Sequence, residues 1–185
     1  MCNLSDLRRK KDRVVMPIAA WVHETLGITP NQASVIAFCL GTGAVIAILA
    51  GQVGAALWIL LLTMCIDGLD GAIAREYNLA SKKGKWVDMG LDTANEIMLF
   101  FALAFMGYVE VTSAALASIA VILIRIIRDK SGFDPGLKRA ILFLGYFTSF
   151  EFALQIIFFA NIASFAIGTV IADYALQKKN DGEES

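Results

Sequence analysis

Four aspartates, Asp67, Asp70, Asp88 and Asp92, stand at spacings that helical geometry turns into two facing stripes. Asp67, Asp70, Gly71 and Ala74 fall at i, i+3, i+4 and i+7, which places them on one face of a helix. Gly84, Asp88 and Asp92 fall at i, i+4 and i+8 on the next. Helices joined by a short loop are antiparallel neighbours, so the two stripes are expected to converge on one pocket. Crowded carboxylates raise one another's pKa and take up protons unless cations sit between them. Oxygen-only ligands select hard ions such as magnesium, manganese or calcium over zinc, and bridging carboxylates suit two ions roughly 3.5–4 Å apart. Such a pair neutralises a diphosphate and stabilises charge on the oxygens of an in-line displacement. Gly71, Ala74 and Gly84 leave space on the same faces for a nucleotide to approach the backbone. Arg75 offers a guanidinium fork to phosphate oxygens.

Each of these residues alone has an ordinary explanation: a capping aspartate, a glycine or alanine at a helix contact, an arginine retained on the cytoplasmic side. The combination of four phased carboxylates with small residues between them does not. Holding a carboxylate at the centre of a bilayer costs roughly 2.5–3.5 kcal/mol, so the set calls for compensation.

The elements that must position these residues are membrane helices. The chain has 185 residues, 57% of them hydrophobic, and a net charge of −1. That composition makes the bilayer the expected solvent and supplies no global basic surface for nucleic acid. Cys2, Cys39 and Cys65 do not form a disulfide framework and read as small core residues. No cleaved leader is expected, since no short apolar segment ends at a small-residue cleavage site. Residues 1–28 read as an interfacial amphipathic helix, with Leu7, Val14, Ile18, Val22 and Thr25 on its apolar stripe and Arg8, Arg9, Lys10 and Arg13 on the remainder. Lone His23 in this helix reads as a solvated side chain.

Residues 29–178 then hold six spans, and 179–185 read as a disordered acidic tail. Span one follows Thr29-Pro30-Asn31, span two ends in the first aspartate stripe, span three starts near Trp86 and span four covers about Thr112 to Ile127. The last two share Ala140 to Leu176, with their turn near Ala160-Asn161 or, alternatively, Phe150-Glu151. All 16 Lys and Arg fall on one side in this layout, which makes both termini and the aspartates cytoplasmic.

The stretch from Asp67 to Asp92 resembles the CDP-alcohol phosphotransferases, whose motif D-x-x-D-G-x-x-A-R-x8-G-x3-D-x3-D it matches at every fixed position. The resemblance implies an all-α polytopic enzyme that moves a substituted phosphoryl group from a CDP-linked lipid to an alcohol and releases CMP. It implies two magnesium ions, or manganese, on Asp67, Asp70, Asp88 and Asp92. Asp92 would also be the general base. Gly71, Ala74, Arg75 and Gly84 would surround the CDP moiety, with Asn31 and Ser81 touching the nucleotide, and the chain would be a homodimer. Lys82-Lys83-Gly84-Lys85-Trp86 and Thr93-Ala94-Asn95-Glu96 depart from the pattern common around these positions and leave the acceptor open.

Arg125, Arg128, Lys130, Lys138 and Arg139 form a second basic cluster. It reads either as a site for an acceptor phosphate, as on inositol phosphate or glycerol 3-phosphate, or as topology determination and anionic-lipid contact. Asn95 and Glu96 either shape that pocket or make a polar helix contact. A small divalent-cation or proton-coupled transporter using the same aspartates is the rival reading. Transport favours ionisable groups along a path across the membrane, whereas here they gather at one end. CDP-diacylglycerol and CDP-archaeol both fit as the donor, because nothing in the chain reports on the lipid tails.

Overall fold

The computed structural model describes residues 16–77, 79, 81–131 and 138–183. The described residues are helical without a strand. Residues 16–26 form α1. It is followed by α2 (Pro30–Leu49), α3 (Val53–Glu76), α4 (Lys82–Phe105), α5 (Val111–Ser131), α6 (Lys138–Phe147) and α7 (Phe150–Glu183).

Local sequence explains the boundaries. Thr29 and Gln32 form a capping box with Pro30 at the first helical position, so α2 starts at Pro30 with its early N–H groups satisfied. α2 and α4 both end in Schellman turns at a glycine with positive φ. Gly51 (φ 75°) donates to the Ile48 carbonyl while Gln52 donates to that of Ala47. Gly107 (φ 75°) and Tyr108 repeat the arrangement on Ala104 and Leu103. The first turn lets α2 reverse directly into α3, against which it packs.

Two compact units divide the chain, Met1–Asn95 and Glu96–Ser185. In the first, α2 packs on α3 and α1 packs against the second half of α3. In the second, α5 and α6 both pack on α7. Pro30–Leu49, Val53–Ala74 and Phe150–Ile171 are long and apolar enough to cross a hydrocarbon core, and Val111–Ile127 is a shorter apolar helix. Trp58, Phe105 and Phe159 are among many large apolar side chains left exposed, the surface that lipid rather than water accepts.

Several expectations change. No turn occurs at Ala160-Asn161: α7 is continuous there, and the break falls at Thr148-Ser149, next to the alternative placement. Asn161 is polar without being a turn residue. It is fully buried, and its Nδ2 donates to the Ile157 carbonyl one helical turn back. α7 is helical to Glu183, into the segment for which composition suggested disorder. Cys39 and Cys65 are exposed rather than in the core. On α1 the buried position is Ala19, with Val22 packed beside it, whereas Ile18 and Thr25 face outward. Leu7 and Val14 lie outside the described residues.

Candidate active site

α3 carries the first half of the aspartate motif, and its opposite face explains how that half is held. Ala72 and Ile73 are buried with Ala19 of α1, and Leu69, Val22 and Tyr77 pack around them. At 3.6 residues per turn, Leu69, Ala72 and Ile73 lie about 180° around the helix from Asp67, Gly71 and Ala74. The variable positions of the motif thus seat α3 on α1 and turn the fixed positions the other way. Asp67, Gly71 and Ala74 are half-buried. The side chains of Asp70 and Arg75 lie outside the described residues.

A second contact locks α1 to the end of α3. The Tyr77 hydroxyl donates to Glu24 Oε1 at 2.8 Å, and the rings of His23 and Tyr77 meet at 4.2 Å between centroids, tilted by 46°. His23 Nδ1 lies 2.9 Å from the Ile28 carbonyl oxygen. His23 is therefore part of the packing and not a solvated side chain. The hydrogen bond to the Glu24 carboxylate holds the Tyr77 phenol above its ordinary pKa, because the neutral hydroxyl is the form that donates.

α4 carries the second half. Ser81 precedes the helix, and its Oγ accepts from the Gly84 N–H at 2.9 Å, satisfying an early donor of α4. A Cβ added to Gly84 would lie 2.8 Å from Asn31 Oδ1 and 2.9 Å from Ser81 Oγ. Asn31 at the start of α2, Ser81 and Gly84 are thereby brought together, all from positions that the sequence resemblance assigns to the nucleotide. Asp88 and Asp92 follow on the same α4 stripe, both half-buried. Further along, Asn95 Nδ2 donates to the Phe38 carbonyl of α2 at 3.3 Å. Such an interhelical bond is worth on the order of 0.6 kcal/mol in lipid. Gly41 makes the approach possible, since a Cβ there would meet the Asn95 Nδ2 and lie 2.7 Å from its Cγ. The sequence contains no sign of this pairing, because Gly41 sits in an apolar run indistinguishable from other packing glycines.

The basic cluster is placed differently. Arg125 is buried, and its Nη2 lies 3.5 Å from Glu96 Oε1, itself buried. Its charge is balanced from within the protein. Glu96 thus makes an ion pair, and Asn95 a helix contact. The side chains of Arg128, Lys130, Lys138 and Arg139 lie outside the described residues.

The donor chemistry fits hard divalent ions: Asp67, Asp88 and Asp92 offer only carboxylate oxygens beside glycine and alanine. Among the described residues no three His, Cys, Asp or Glu side chains gather closely enough to hold an ion, and the expected set includes Asp70.

Residues 27–176 match the model of the CDP-alcohol phosphatidyltransferase family, and the chain belongs to that family. It is 37% identical over 83 residues to the inner membrane protein YnjF of Escherichia coli, covering 45% of this chain and 37% of that one. It is 36% identical over 87 residues to the archaetidylinositol phosphate synthase of Pyrococcus horikoshii, 46% of each chain. These matches span less than half the length of either relative. The fold resembles that of the phosphatidylinositol phosphate synthase PgsA1 of Mycobacterium tuberculosis, solved with CDP-DAG bound. The TM-score is 0.64 at 19% identity, over 88% of this chain and 92% of that one.

Proposed function

We propose that the chain is a metal-dependent phosphotransferase that moves a lipid phosphoryl group from a CDP-linked lipid to an alcohol and releases CMP. The observation that carries this reading is the convergence of Asn31, Ser81 and Gly84 at the head of the stripe that bears Asp88 and Asp92. In a member of this family, that cradle fits a nucleotide next to the carboxylates.

Asp67, Asp70, Asp88 and Asp92 would hold two magnesium or manganese ions, which supply neutralising charge to the diphosphate when bound. Manganese is also present in a second structure of the Mycobacterium tuberculosis synthase. Gly71, Ala74, Arg75 and Gly84, with Asn31 and Ser81, would surround the CDP. Asp92 takes the proton of the acceptor hydroxyl. The resulting oxygen attacks the lipid-side phosphorus, a new P–O bond forms, and the bond from that phosphorus to the oxygen of CMP breaks. The proton stays on the Asp92 carboxylate until it passes to solvent.

The names of the relatives favour a phosphorylated polyol acceptor such as inositol phosphate, with glycerol 3-phosphate the next choice. Arg125 has Glu96 as an internal counterion, so Arg128, Lys138 and Arg139 carry more of the proposed acceptor-phosphate site. The proposed setting is a six-span domain over 29–178 preceded by an interfacial helix over 1–28. The chain would form a homodimer in the cell membrane with both termini and the site cytoplasmic.

The test is CMP release by the purified protein from CDP-diacylglycerol or CDP-archaeol against a panel of inositol phosphate, glycerol 3-phosphate, serine and inositol. Release should require magnesium and vanish in Asp67→Asn and Asp88→Asn. Full activity in chelator, or in both variants, would remove the two-metal reading.

A further inference from the structure

We infer that Asn95 is a positioning residue for the transfer step: seated on Gly41, it ties α4 to α2 and sets the height at which α4 holds Asp92. The inference rests on the reading of Asp92 as the general base.

Two contacts between α2 and α4 each set an asparagine of one helix against a glycine of the other. Asn31 of α2 lies against Gly84 of α4, and Asn95 of α4 lies against Gly41 of α2. Both contacts are too close for a Cβ at the glycine. Residue numbers rise together along the two helices, so they run parallel, and Asp88 and Asp92 lie on α4 between the contacts.

The two contacts differ in exposure. Asn31 and Ser81 are exposed, as a ligand cradle requires, whereas Asn95 is 8% exposed and sits deeper. No ligand is needed to explain its Nδ2, which donates to the Phe38 carbonyl. Its Oδ1 is buried without a hydrogen-bond partner among the described residues. That orphan oxygen makes asparagine a poor filler for an apolar contact. The residue makes sense where the directional bond to α2 is what matters.

Position explains why it would matter. Asn95 follows Asp92 by three residues, roughly 4.5 Å along the axis. Helices in lipid have no hydrophobic drive to hold their register, so close packing on small residues and interhelical hydrogen bonds must do it. The Gly41 notch with the Phe38 carbonyl supplies both within one turn of the base. A base displaced by about 1 Å loses on the order of 100-fold in rate.

The experiment compares wild type, Asn95→Ala, Gly41→Ala and the double variant in lipid nanodiscs. It reads thermal unfolding, CDP binding with magnesium, and the kcat and KM of CMP release. Asn95→Ala should fold, keep CDP affinity and the KM for CDP-lipid within about 2-fold, and lose on the order of 10- to 100-fold in kcat. Gly41→Ala should unfold earlier, because its Cβ meets the Asn95 amide. The double variant should regain the unfolding temperature of Asn95→Ala without regaining kcat. Asn95→Ser, whose hydroxyl is too short to bridge, carries the same expectation if Asn95→Ala does not fold. Wild-type kcat in Asn95→Ala, or a double variant that recovers kcat along with stability, overturns the positioning role and leaves Asn95 a packing residue. A wild type that releases no CMP from any CDP-lipid overturns the reaction itself, an outcome distinct from equal activity in wild type and variant.

Discussion

Asn95 and Glu96 are neighbours on α4, yet they belong to regions that treat polar groups in opposite ways. In residues 16–95 the half-buried aspartates Asp67, Asp88 and Asp92 share helix faces with glycine and alanine. Among the described residues of 96–183, Glu96, Arg125 and Glu151 are held by protein partners. Arg125 is paired with Glu96, and the Glu151 carboxylate at the start of α7 accepts from the Glu110 N–H at 2.8 Å and from the Ser113 hydroxyl. Small residues and partial burial leave room for a ligand, while buried pairing spends the same groups on holding helices together. Polar residues in a membrane helix are therefore not uniformly functional, and burial with a protein partner, more than the size of the neighbours, separates the two uses.

The strongest way to break this comparison is at the aspartates. If proton removal outweighs ion holding in the work of Asp92, Asp92→Asn should keep metal-dependent CDP binding and lose on the order of 100- to 10,000-fold in single-turnover transfer, the usual worth of a general base. Asp67→Asn should weaken metal binding as well, which calorimetric titration of CDP with magnesium would show. Equal loss of CDP binding in both would reassign Asp92 as a metal ligand alone.

The paired region should respond in stability instead. Glu96→Gln breaks the buried ion pair with Arg125 and is expected to cost about 3–5 kcal/mol, while Glu96→Gln with Arg125→Met should recover most of it. Unfolding in detergent with CMP release as a second readout checks this. A double variant as unstable as the single would argue against the ion pair. Glu151→Ala removes the partner of the Glu110 N–H and is expected to cost about 1–2 kcal/mol, with catalysis by the folded protein unchanged. A loss of kcat at full stability would show that this end of α5 is not merely structural.

The smallest effect concerns α1. Because Tyr77 donates to Glu24, its phenol should ionise above the ordinary tyrosine range, and Glu24→Gln should bring it back down. The sign follows from the proton: the carboxylate favours the neutral phenol, and an amide favours it less. Ultraviolet titration of tyrosinate in wild type, Glu24→Gln and Tyr77→Phe separates this group from the other tyrosines. An unchanged titration in Glu24→Gln would show that the Tyr77 hydrogen bond to Glu24 does not form.

The chemistry was legible because its pattern is local. Asp67, Gly71 and Ala74 share a face through helical spacing alone, as do Gly84, Asp88 and Asp92, and neither set needs a distant partner to be recognised. The starts and stops at Thr29, Gly51 and Gly107 are local in the same way. Tertiary structure alone decided which faces meet: Ala19 rather than Ile18 as the buried side of α1, Cys39 and Cys65 outward, Gly41 under Asn95, Arg125 held by Glu96. It also placed the last turn at Thr148-Ser149, beside the alternative at Phe150-Glu151 and away from Asn161. The physical reason is the solvent. A helix in lipid is apolar on the side that packs and on the side that faces the tails, so hydrophobic periodicity carries no phase. Small residues and single hydrogen bonds, invisible to that periodicity, decide the contacts.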